Sequence, residues 1–261
     1  MAMLTRQDAD GIATLTMTAP ERLNALSDAM LADLHAAFDA LAEDRSVRVV
    51  ILAGAGKAFC AGHDLKEMQA KRTAPDKGAA ALKDLFDRCA ALMQRIQSLP
   101  QPVIAQVHGV ATAAGCQLVA TCDLAVATDD CRFGVNGVNI GLFCSTPMVA
   151  LTRNIPRKPA FEMLTTGRFI SAGEAQTLGL INRAVPTADL ATATRDLAQT
   201  IAGKLGSAVR IGKQAFYAQA ERDTAAAYAY AGEVMVTNML DADTEEGINA
   251  FLEKRDPAWS T

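Results

Sequence analysis

The chain has 261 residues, of which 50% are hydrophobic, 5% aromatic and 21% charged, with a formal net charge of −4. This composition suits one large packed domain, or such a domain with a helical extension, and excludes a disordered or repeat chain. The acidic balance offers no basic field for nucleic acid, no apolar run reaches the roughly 18–20 residues that cross a bilayer, and residues 1–10 hold no apolar signal core; a cytoplasmic protein with no nucleic-acid partner and no membrane span is expected.

In chain order, residues 11–18 (GIATLTMT) alternate apolar and polar side chains as a half-buried strand does, and Pro20 ends the run. Ser27 offers an N-cap to a helix whose Met30, Leu31, Leu34, Ala37, Phe38 and Leu41 share one stripe. Residues 47–52 are a β-branched apolar run closed by Gly54 and Gly56. Residues 69–80 (QAKRTAPDKGAA) are polar, aperiodic and contain Pro75 and Gly78; they read equally as a lid beside a site or as a plain surface insertion. Residues 103–107 (VIAQV) and 124–127 (LAVA) carry the short-strand signature again. Ser171 and Glu174 form an S-x-x-E capping signature, with Gly179 placed to stop that helix. From about Leu190 only helical stripes follow, first Leu197, Ile201 and Leu205, later Val234, Met235 and Met239. Strands alternating with helices over the first two-thirds point to an α/β fold.

Cys60, Cys89, Cys116, Cys122, Cys131 and Cys144 include no CxxC pair, and His35, His63 and His108 are scattered singly. No metal site is expected, and buried free thiols suit a domain of this size.

Two segments bear small residues after a strand: residues 57–68 (KAFCAGHDLKEM) and 107–123 (VHGVATAAGCQLVATCD). In the second, the stretch from Ala111 to Gly115 precedes a helical stripe of Leu118, Val119 and Cys122. A helix starting there presents free N–H groups and the positive end of its dipole, to which a ligand can come close. Two such donors aimed at one carbonyl stabilise an oxyanion; small residues at a strand end also serve simply as tight turns.

These segments, with residues 23–27 (LNALS), 133–142 (FGVNGVNIGL), 170–185 (ISAGEAQTLGLINRAV) and 251–255 (FLEKR), resemble the crotonase, or enoyl-CoA hydratase/isomerase, family in the expected order. The resemblance implies an α/β spiral of repeated ββα units over residues 1–195. It implies a C-terminal helical region over residues 196–261 that drives a homotrimer or dimer of trimers and closes the CoA channel. By position, the backbone N–H groups of His63 and Ala114 would form an oxyanion hole. Ala61, Asp64, Leu65 and Lys66 would line the CoA channel, with Leu23 and Ala25 beside the pantetheine. Phe251 and Lys254 lie in the closing motif, Lys254 reaching the CoA phosphates from a neighbouring subunit. The partner would be an acyl-CoA thioester, with no cofactor beyond the CoA it carries.

The sequence departs from the family where hydratases carry two glutamates that activate water. Here those places hold Gln117 and Gly137, and Gly137 would leave an open space. An amide positions a water but exchanges no proton near neutral pH. A third place, where other branches carry an acid, holds Ser145. Nearby polar candidates are His63, Asn136, Asn139, Cys144 and Thr146. His63 is a candidate proton carrier through its ring, or a donor through its backbone alone; Cys144 is a candidate reactive group or a packed thiol. Two functions follow. One is an atypical acyl-CoA enzyme (hydratase, isomerase, thioester hydrolase or decarboxylase) working through an oxyanion; the other is a catalytically quiet acyl-CoA-binding protein.

Overall fold

The computed structural model describes residues 3–259; residues 1, 2, 260 and 261, the outer ends of the two expected regions, lie outside it. The chain opens with an antiparallel hairpin, β1 (Leu4–Ala9) and β2 (Ile12–Met17), turned at Asp10 and Gly11. Residues 5–9 are exposed, so β1 carries no alternating signal and its pairing, not its pattern, makes it a strand. Helix α1 (Asp28–Glu43) follows, the Ser27 hydroxyl accepting from the Met30 amide at 3.2 Å and the stripe Met30, Leu31, Leu34, Phe38 and Leu41 fully buried. Then come β3 (Val49–Gly54), α2 (Leu65–Lys71) and α3 (Ala79–Ser98). The expected loop over residues 69–80 therefore narrows to residues 72–78. Its ends are helical, and Asp76 ties the turn by accepting from Gly78 and Ala80 amides at 2.9 Å each.

Next are β4 (Val103–Val107), β5 (Val110–Thr112), α4 (Ala114–Thr121), β6 (Leu124–Thr128), β7 (Arg132–Gly134), α5 (Pro147–Asn154) and α6 (Arg157–Thr166). After them β8 (Phe169–Ser171), α7 (Ala172–Leu178) and β9 (Arg183–Val185) complete two sheets. The larger has the order β1-β2-β3-β4-β6-β9, parallel from β2 onward; the smaller has the order β5-β7-β8. A strand of the large sheet, a strand of the small one and then a helix recur as β4-β5-α4 and β6-β7-α5. Cys60 bridges to Ala111 and so gives β3 the same continuation. This is the ββα spiral. At α7 the Ser171 hydroxyl accepts from Glu174 N at 3.2 Å and Gly179 ends the helix in the left-handed region. The Glu174 carboxylate binds Arg168 at 2.7 Å instead of reaching back to the cap, so the box is half used.

The central strands are buried on both faces, which is why they read as unbroken apolar runs. Val50 and Leu52 join α1 and α3 in the larger core; Val49 and Ile51 pack with Ile12, Ile104 and Val126 under Leu190 and Ala198 of α8 (Leu190–Ala202). The expected division at residues 195 and 196 falls inside α8, whose inner face belongs to the sheet. Leu205, expected on the α8 stripe, is buried at the N-cap of α9 (Gly206–Ala220). Helix α9 is pinned to the sheet by a buried cluster. Lys213 Nζ donates to Ile96 O, Gln101 O and Asp123 Oδ2 at 2.8, 2.9 and 2.6 Å, and Tyr217 OH donates to Asp123 Oδ1 at 2.8 Å. Beyond it, α10 (Thr224–Met239) buries no residue, and α11 (Ala242–Glu253) leaves Phe251 and Leu252 exposed. No helix among the described residues is long and apolar enough to cross a membrane.

Candidate functional site

The chain segments leaving the C-terminal ends of β3 and β4 lie side by side. Phe59 N donates to His108 O at 3.1 Å, Cys60 N to Val110 O at 3.2 Å and Thr112 N to Cys60 O at 3.0 Å. Glycines allow that approach. A Cβ on Gly62 would sit 2.9 Å from Ala113 Cβ and 3.2 Å from Ala114 N, and one on Gly115 would sit 2.1 Å from Cys60 O. Ala113, just ahead of α4, holds φ 50° and ψ −119°, a conformation L side chains rarely adopt, and its amide donates to Gly134 O at 2.9 Å. Strain of this kind costs on the order of 1–3 kcal/mol and persists only where surrounding contacts enforce it.

The result is a cleft of about 340 Å³ whose walls include Ala61, His63, Leu65, Met68, Phe86, Ala114, Gly137, Cys144 and Ser145. The amides of His63 and Ala114 have no acceptor among the described residues. Gly62 brings the two segments into contact, and His63 and Ala114 both stand on the wall of this cleft. No wall residue is an Asp, Glu, Lys or Arg.

The His63 ring turns toward α1 and α3. Its Nδ1 lies 3.4 Å from Leu26 O and the ring meets Phe86 edge-on at 5.6 Å. A carbonyl only accepts, so Nδ1 carries the proton and Nε2, buried and without a partner, is the bare nitrogen. Burial, reinforced by nearby Arg88, holds its pKa below the ordinary histidine value and keeps the ring neutral. Thr112 Oγ1 donates to Asn136 Oδ1 at 2.6 Å at the edge of the cleft. Asn139 instead packs against Gly167, where a Cβ would meet its side-chain oxygen at 2.6 Å.

The open space expected at Gly137 does not exist. A Cβ there would lie 2.2 Å from Leu142 O and 2.9 Å from Cys144 Sγ, so the loop from residue 137 to residue 144 has closed over the position. The Cys144 thiol receives a Gly137 backbone hydrogen bond, yet burial dominates and raises its pKa, which keeps it protonated. Gln117 is 5% exposed, does not line the cleft, and its Oε1 has no partner. Ser145 and Thr146 stand on the rim beside Pro147.

Of the other expected residues, Ala61 and Leu65 line the cleft, and Ala61 N donates to the carbonyl of Leu23, which has a φ of 53°. Asp64 caps α2, accepting from Lys66 N at 2.9 Å and Glu67 N at 3.2 Å, and Lys66 is exposed. Ala25 is buried. Phe251 and Lys254 do not reach the cleft of their own chain. Met68, Phe86, Leu142 and Phe143 were missed as wall residues. Phe86 lies beside an apolar stripe of Leu85, Cys89, Leu92, Met93 and Ile96 that signals α3, but no local pattern says the helix folds back over the site. All six cysteines are free and buried, and burial pushes the Cys60 and Cys116 thiols up to about 12. No group of three or more potential metal ligands occurs among the described residues.

Comparison with known proteins fits this geometry. A model of the family described as "Enoyl-CoA hydratase/isomerase" matches residues 7–261. The chain is 46% identical over 256 residues to mitochondrial enoyl-CoA hydratase domain-containing protein 3 of Rattus norvegicus, covering 98% of this chain and 83% of that one. The crystal structure of an enoyl-CoA hydratase of Mycobacterium smegmatis superposes with a TM-score of 0.96 at 55% identity, covering 100% of both chains. The human domain-containing protein 3 superposes with a TM-score of 0.93 at 43% identity, covering 98% of this chain and 100% of that one. With its ββα spiral, C-terminal helices and full-length likeness, the chain belongs to the enoyl-CoA hydratase/isomerase, or crotonase, family.

Proposed function

We propose that the protein is an atypical acyl-CoA enzyme that seats a thioester carbonyl between the His63 and Ala114 amides and works through an enolate-type or oxyanion intermediate, in fatty-acid or related acyl-CoA metabolism. The observation that carries this reading is the pair of partnerless amides of His63 and Ala114, two residues on the wall of one apolar cleft. As charge develops on the carbonyl oxygen, both donors strengthen, and each such donor is typically worth about 10²–10³ in rate. The CoA moiety would pass Leu23, Ala25, Ala61, Asp64, Leu65 and Lys66, with Phe251 and Lys254 reaching it from a second copy. The exposed Met235, Val236, Leu240 and Phe251 support a homotrimer or dimer of trimers, because an apolar face this extensive calls for cover.

Standard hydration does not suit the cleft. Water addition needs a group that takes a proton from water and one that delivers it to carbon. Gln117 exchanges none, the place beside Gly137 is filled, and no carboxylate stands on the wall. Removal of a proton next to the carbonyl falls best to neutral His63, which needs a turn of its ring from Leu26 into the cleft. The absence of a wall cation also disfavours acyl groups ending in a carboxylate, since burying an unpaired charge is costly.

The test is a panel of enoyl-, β-hydroxyacyl- and malonyl-type CoA esters offered to the purified protein, with product analysis and direct binding. Turnover of a neutral ester is expected. Binding without any turnover would leave the second reading, a quiet acyl-CoA-binding protein, and absence of binding would overturn both.

A further inference from the structure

A second cavity, of about 360 Å³, opens at the other end of the sheet, where the chain enters β3 and β4. Arg45 and Arg48 reach it from the turn before β3, and Arg210 from α9. Arg45 and Arg210 form no ion pair with any described residue. The Arg48 guanidinium lies flat on the first turn of α9, where a Cβ on Gly206 would come within 2.6 Å of its Nε, and its Nη2 donates to Lys204 O at 2.5 Å. The one acid on the wall, Asp44, is committed to Arg6 at 2.5 Å.

Three further features belong to residues on or beside this wall. The amides of Gly206, Ser207 and Ala208 precede the first intrahelical donor of α9, Val209, and no side chain caps them. The Ser207 hydroxyl is buried without a partner. Gln101, 5% exposed, also stands on the wall. Its Nε2 donates to Leu41 O at 2.7 Å and Asp44 O at 3.0 Å, which leaves its Oε1 with no donor. Cationic forks and helix-start amides suit an oxyanion. An unfilled carbonyl acceptor among them asks that the anion also carry a proton to donate.

We infer that this cavity binds a protonated phosphate, held by Arg45, Arg48, Arg210 and the α9 amides, with its P–O–H donated to Gln101 Oε1. The site shares no residue with the acyl cleft and does not depend on what is turned over there. Sulfate has the same shape and charge but no proton near neutral pH, so it separates this reading from a general anion patch.

Calorimetric titration of the full chain at fixed ionic strength tests it, with inorganic phosphate, glycerol phosphate and sulfate as probes. Saturable binding of phosphate at one site is expected, with sulfate about tenfold weaker or worse. Arg45→Ala with Arg210→Ala should weaken phosphate about tenfold or more, and Arg45→Lys less, because an ammonium keeps the charge while losing the bidentate fork. Circular dichroism and acyl-CoA binding of these surface variants should stay unchanged. A glycerol phosphate response equal to that of the free ion when both are titrated at about pH 6, where a phosphate monoester also carries a proton, identifies the phosphate group of a small metabolite; a weak response there identifies the free ion. Absence of saturable binding, equal affinity for sulfate, or full affinity in the double variant would overturn the inference.

Discussion

Helices α1 and α10 have the same length, sixteen residues, and opposite fates. The first buries Met30, Leu31, Leu34, Phe38 and Leu41 completely against the sheet; the second buries nothing and leaves Tyr228, Met235, Val236 and Met239 open. Apolar content does not separate them. What differs is the partner. A sheet face lies within reach of α1, whereas α10 packs on α9, which is itself attached through a few polar anchors. The spiral thus buries its apolar faces within one chain, whereas α10 leaves its apolar side chains exposed, as the proposed assembly requires. Mutations in the spiral should therefore act equally at every protein concentration, and those in α10 should act through association.

The largest effect is expected where the two regions join. Lys213→Met strands Asp123 without its buried cation and should cost about 3–5 kcal/mol in urea unfolding, loosening α9 with the helices beyond it. Within α1, Leu34→Ala should cost about 2–5 kcal/mol regardless of concentration. Met235→Ala should change the stability of the isolated chain by less than about 0.5 kcal/mol while lowering the assembled mass seen by light scattering. Equal, concentration-independent losses at both positions would break the comparison.

Gly137→Glu tests how completely the spiral is packed at the cleft. Its Cβ would meet the Leu142 carbonyl, so the variant should lose about 1–3 kcal/mol and gain no hydration of enoyl-CoA. Ala113→Gly relieves a positive φ and should raise the unfolding midpoint, by the equivalent of about 1 kcal/mol.

The smallest effect is one of pH. Burial depresses the His63 pKa, so the unfolded chain binds its proton more readily than the folded one. The stability that neutral His63 allows is present above about pH 6.5, the ordinary histidine value, and is lost as pH falls through the folded pKa. His63→Gln should flatten that slope between neutral and mildly acidic urea titrations.

What was legible lay within a few residues or a regular period. The Ser27 and Ser171 caps, the α1 stripe and the apolar strands each declare themselves locally, because a cap is a hydrogen bond over three residues and a buried face repeats with its element. Ordered motifs along the chain likewise marked the family and placed His63 and Ala114 together. Edge strand β1 stayed hidden because its exposed side chains obey no burial pattern. The Glu174 carboxylate was assigned to its cap and went to Arg168, a competitor that spacing does not reveal.

The sequence by itself determined the α/β class, the helical end and the family, and it holds Gln117 and Gly137 where the resemblance leads one to expect acids. Only the tertiary structure decided what surrounds those two residues. A glycine read alone is an absence, but here Leu142 and Cys144 have moved into its place, and Gln117 lies off the cleft wall. The reason is close packing: an interior leaves little room for a void, so the shape left by a missing side chain is set by distant neighbours that fill it.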